Sequence, residues 1–93
     1  MAPLYPLSDR QKTILMMVVR DYTDSAQPVG SQRLVEHYRL ELSSATVRNE
    51  LAALTEMGYL RQPHTSAGRV PTEEGYRYFV TNLMHQVDLP ESV

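Results

Sequence analysis

The chain has 93 residues, 42% of them hydrophobic, enough for one small domain with a single core and too few for a multi-domain enzyme. It has no cysteine, which excludes a disulfide frame and a thiolate metal site, leaves stability to packing alone, and suits a reducing cytoplasm. The formal net charge of −2 counts against a nucleic-acid binder with a uniformly basic surface, but without Asp88 and Glu91 near the C-terminus the acidic and basic counts are both nine, so local placement of charge decides.

Met1 to Leu7, with Pro3 and Pro6, reads as an extended arm over residues 1–7 and lacks the basic start and apolar centre of a signal peptide. Ser8 followed three residues later by Gln11 is a capping box that opens a first helix from about Asp9 to Asp24, with Ile14, Leu15, Val18 and Tyr22 as its apolar stripe. The longest apolar run, Ile14 to Val19, is far shorter than the roughly 20 residues of a membrane span, so a cytoplasmic protein with no membrane partner is expected. Gln27-Pro28-Val29-Gly30 breaks the helix, and Ser31 is expected to cap a short second helix that buries Leu34, Val35 and Tyr38 and ends near Arg39.

After a turn around Leu40 to Leu42, Ser43 or Ser44 caps a third helix. Its Val47, Leu51 and Leu54 face inward, Arg48, Asn49 and Glu50 face solvent or a partner, and Gly58 stands where a left-handed C-terminal cap belongs. Tyr59 to Gln62 reads as a strand, Pro63 to Gly68 as a polar loop and Arg69 to Pro71 as a return strand, which together make a hairpin. Thr72 caps a last helix with Tyr76, Phe79, Val80 and Leu83 at helical spacing. The domain therefore spans residues 8–86, and residues 87–93, with Pro90, form a tail or the start of a linker to a further C-terminal region.

This order of elements predicts a mainly α fold with a small β-hairpin: a winged helix-turn-helix with a three-helix core, a wing and a C-terminal helix. Two short helices joined by a tight turn bury each other's apolar faces and leave the outer face of the second free, with a width that suits the DNA major groove. On that third helix Ser43 and Ser44 offer hydroxyls and free N–H groups for a phosphate where the helix dipole is positive. Arg48 can fork onto a guanine edge and Asn49 onto an adenine edge, with Thr46 beside them. Ser31, Gln32 and Arg33 can grip a flanking phosphate, and His64, Thr65, Ser66, Gly68 and Arg69 supply the wing contacts around a small Ala67-Gly68 tip.

Duller readings stand beside these. Ser43, Ser44 and Thr46 can be helix caps only; Arg48, Asn49 and Glu50 can be an ordinary solvated face; His64 can be an exposed loop histidine without metal-ligand spacing. Tyr76, Tyr78 and Phe79 at helical spacing read as core or dimer contacts rather than base-stacking platforms. Ser66 and His64 with Asp21 or Asp24 make a nominal triad, but the histidine and serine sit two apart on one small exposed loop, without a pocket or oxyanion hole, so no enzyme and no catalytic residue are expected. The sequence has neither a phosphate-binding glycine loop nor a metal-ligand cluster, and no cofactor or metal is expected. A winged helix used for protein interaction, or a different winged-helix regulator, is the alternative function.

The block LSSATVRNELAALTEMGYLRQPHTSAGRVPTEEGYRYFV, Leu42 to Val80, closely resembles the N-terminal domain of the heat-inducible transcription repressor HrcA family, and the likeness extends upstream through LSDRQKTIL and PVGSQRL. The resemblance implies a repressor of chaperone operons that binds double-stranded DNA at an inverted-repeat operator as a homodimer, with a GroE chaperonin partner reached through a region outside this chain. It places Ser43, Ser44, Thr46, Arg48 and Asn49 on the recognition helix and His64, Thr65, Ser66, Gly68 and Arg69 on the wing. Members of that family carry a much larger C-terminal region, so the chain is expected to be a piece of a longer protein.

Overall fold

The computed structural model describes residues 6–83; most of the expected arm, residues 84–86 and the expected tail lie outside them. The first helix, α1, covers Asp9–Ser25. The Ser8 hydroxyl accepts the Gln11 N–H at 3.1 Å and the Gln11 side chain accepts the Ser8 N–H at 3.0 Å, so the capping box forms as the sequence predicts. Burial on α1 exceeds the expected stripe: Ile14 to Val19 are all buried, and so is Asp21, because α1 packs against the third helix, the hairpin and the C-terminal turns. Leu7, read as the end of the arm, is also buried in this core.

Helix α2 covers Ser31–Tyr38, and here the capping assignment changes. Gly30 holds the cap position without a side-chain bond and Ser31 is the first helical residue. The cause is upstream: Val29 exchanges backbone hydrogen bonds of 2.8 and 2.9 Å with Arg69, which keeps the chain extended through Gly30 before the helix can begin. Leu34 and Tyr38 are buried while Val35 is half-buried, and the helix stops at Arg39 in a left-handed conformation, φ 52°.

Helix α3, Ser44–Glu56, is capped by Ser43 and buries Val47, Leu51 and Leu54 as predicted. Gly58 takes φ +89° just after it, the left-handed conformation expected there. Glu50 departs from the expected solvent-facing set: it is 19% exposed and bonds Arg10 at 3.4 Å and Gln11 at 3.2 Å, tying the middle of α3 to the start of α1.

Strands β1 (Leu60–Arg61) and β2 (Val70–Pro71) pair antiparallel with Leu60 opposite Pro71 and Arg61 opposite Val70. Both are shorter than predicted, because Pro71 has no N–H to extend the ladder and Arg69 pairs across to Val29 instead. Tyr59 is buried, and its carbonyl accepts the Thr72 N–H at 3.1 Å. Thr72 caps α4, Glu73–Tyr78, as predicted, but a π-helical turn over Phe79–Leu83 follows it. That wider turn breaks the simple helical spacing: Leu83 is buried and Tyr78 and Phe79 pack half-buried on the core, whereas Tyr76, read as a core or dimer contact, and Val80, placed in the same helical repeat, are exposed on this chain, Val80 at 54%.

Candidate nucleic-acid interface

The turn from Arg39 to Ser43 sets α3 against α2 through Leu34, Tyr38, Val47 and Leu51, which leaves the opposite side of α3 uncovered. At its start the Ser43 hydroxyl accepts the Thr46 N–H at 3.1 Å and donates to the Thr46 hydroxyl at 3.0 Å. This leaves the N–H groups of Ser44 and Ala45 at the helix end without an intrahelical acceptor. Ser43 is exposed, Ser44 and Thr46 are half-buried, and Arg48 and Asn49 are both exposed. A charged donor and an amide thus project from the first two turns, beside an end that favours negative charge.

Between α2, α3 and the hairpin runs an open groove of about 410 Å³. Ser31, Gln32 and Arg33 line it from the start of α2, Arg48 and Leu51 from α3, and Gln62, Ala67, Gly68 and Arg69 from the hairpin. Six residues chosen from sequence therefore converge on one surface: Ser31, Gln32, Arg33, Arg48, Gly68 and Arg69. Ser43, Ser44, Thr46 and Asn49 lie along α3 outside the groove lining, and His64, Thr65 and Ser66 lie on the hairpin loop beyond it.

Several of these side chains have structural work of their own. Arg69 donates from Nε to the Thr55 hydroxyl at 2.9 Å and from Nη1 to the Ala67 carbonyl at 2.8 Å, strapping the wing to α3. Gly68 is buried rather than presented at the tip; a Cβ there would meet the Pro28 carbonyl carbon and Cβ at 2.9 Å, so the glycine lets the wing pack on the Pro28–Val29 segment. Ser66 accepts the Gly68 N–H at 3.0 Å, and its carbonyl accepts from the Gln62 amide at 3.3 Å, which shapes the loop. Gln32 donates to Glu36 at 3.1 Å. His64 and Thr65 are exposed on the loop.

The sequence reading missed Gln62, which lines the groove together with Arg48, and the role of Asp21, which is buried and bonds Arg33 at 3.2 Å and Tyr38 at 2.9 Å. The signal for Asp21 was an acidic residue three positions after Val18, on the apolar stripe itself. No group of three or more histidine, aspartate and glutamate side chains able to hold a metal occurs among the described residues. No helix among them is long and apolar enough to cross a membrane.

A tight helix-turn-helix whose second helix is uncovered, with a hairpin beside it and arginines between, defines a winged helix-turn-helix DNA-binding domain. The model of the winged helix-turn-helix transcription repressor family, HrcA DNA-binding, matches residues 6–85, and the chain belongs to that family. It is 55% identical over 84 residues to the heat-inducible transcription repressor HrcA of Chloroflexus aggregans, covering 90% of this chain and 22% of that protein. The protein of the same description from Roseiflexus castenholzii is 59% identical over 83 residues, covering 89% of this chain and 23% of its own length. A crystal structure of a hypothetical protein at 2.2 Å is 45% identical with a TM-score of 0.80, over 86% of this chain and 26% of that one. The matched stretch of this chain covers less than a quarter of the length of either repressor.

Proposed function

We propose that this domain is the operator-reading head of a cytoplasmic heat-shock repressor that acts on chaperone operons. The convergence of the α2 start, Arg48 and the wing on one groove carries the reading, since it sets a base-facing arginine between two backbone-facing elements. Arg48 and Asn49, with Thr46, read base edges; Ser43 and Ser44 hold a phosphate at the start of α3; Ser31, Gln32 and Arg33 hold one at the start of α2. His64, Thr65 and Ser66 contact the backbone or minor groove from a wing whose position Gly68 and Arg69 fix. An inverted-repeat operator bound by a homodimer, and a GroE chaperonin partner, rest on the family resemblance and belong to the intact protein.

Selection of bound sequences from random duplex DNA tests the assignment. The chain should enrich one motif, and Arg48→Ala should weaken binding by about 1–3 kcal/mol and relax preference at one base position. An unchanged motif for the variant would remove Arg48 as the reader.

A further inference from the structure

Asp21 lies on α1, outside the groove, and is only 1% exposed. Three donors from α2 converge on its carboxylate: the Tyr38 hydroxyl at 2.9 Å, His37 Nδ1 at 3.2 Å and Arg33 Nε at 3.2 Å. Two of these serve to fasten α2 to α1. Arg33 is different, because its side chain is 55% exposed and it lines the groove. A guanidinium gripped through Nε is fixed in plane and direction, while its two terminal amino groups remain available as a fork that matches a phosphate.

We propose that Asp21 is a positioning residue for DNA binding: from its buried place it holds Arg33 by Nε so that the terminal amino groups meet a backbone phosphate at the α2 end of the groove. The inference rests on the groove being the DNA surface. It also predicts a sign that a simple field effect would not. Removing a negative charge from a DNA-binding domain should by itself tighten binding, whereas freeing Arg33 should weaken it.

The test is fluorescence anisotropy of a labelled duplex of arbitrary sequence titrated with the chain at low salt, with each variant checked as folded by circular dichroism at the assay temperature. Asp21→Asn should weaken binding about tenfold, as loss of one charge-assisted contact does. It should add nothing in an Arg33→Ala background, because the two residues act as one unit. Tyr38→Phe, which removes a different donor from the same carboxylate and leaves the Arg33 pair in place, should bind as the parent chain does. Unchanged or tighter binding by Asp21→Asn, or equal weakening by Tyr38→Phe, overturns the positioning role while the DNA-binding reading stands. A parent chain that retains no duplex overturns both.

Discussion

Gly75 occupies the first turn of α4 against the backbone of Tyr59, and a Cβ built there would collide with the Tyr59 carbonyl oxygen. Glycine to alanine inside a helix ordinarily stabilises by about 1 kcal/mol. Here the close approach reverses the sign, because that carbonyl is held by the Thr72 N–H at 3.1 Å and cannot easily move away. Gly75→Ala should therefore destabilise the chain by about 1–3 kcal/mol, as overpacking does. Urea unfolding measures this, and an unchanged or raised midpoint would contradict the packing described. Such residues show where a sequence stops being legible. Arg48 and Asn49 were readable because exposure on a helix follows from spacing alone. The tasks of Gly68, Arg69, Asp21 and Gly75 depend on segments distant in the chain, and spacing says nothing about those.

Among the elements, the caps were the most legible feature, since Ser8, Ser43 and Thr72 each satisfy an N–H within three residues and their chemistry is local. The start of α2 was not, because the Val29 to Arg69 bridge sets it from forty residues away. The π-helical turn after α4 was equally hidden in a stretch whose apolar spacing fits an ordinary helix. The joint between α1 and α2 carries a pH dependence. Burial pushes the Tyr38 hydroxyl well above its ordinary range, reinforced by its hydrogen bond to Asp21 and by that residue's charge. The fold therefore favours the protonated phenol. Its contribution is complete below about pH 10, where the unfolded tyrosine ionises, and is lost progressively as pH rises above that. The slope reaches at most about 1.4 kcal/mol per pH unit from this residue. Urea midpoints between pH 8 and about 11.5 should fall more steeply for the parent chain than for Tyr38→Phe; parallel curves would show that the buried phenol is not the cause.

For the whole molecule, a net charge of −2 understates what the surface can do. Asp21 is buried beneath Arg33, Glu50 is turned back onto α1 and Glu36 is paired with Gln32, so Arg33, Arg48 and Arg69 line the groove without a carboxylate among its lining residues. Local arrangement outweighs the sum. On the proposed inverted-repeat reading an isolated domain would fill one of two half-sites, which helix-turn-helix dimers place about 34–36 Å or a multiple of that apart, so the isolated chain should bind more weakly than a dimeric protein that links two heads. The central claim is that this groove binds duplex DNA through its phosphates, and the salt dependence of binding tests it most directly. In a mobility-shift titration, log affinity should fall linearly with log salt, with a slope of about −0.9 for each phosphate that a basic side chain such as Arg33 neutralises; retention that ignores salt, or no retention at low salt, would contradict it.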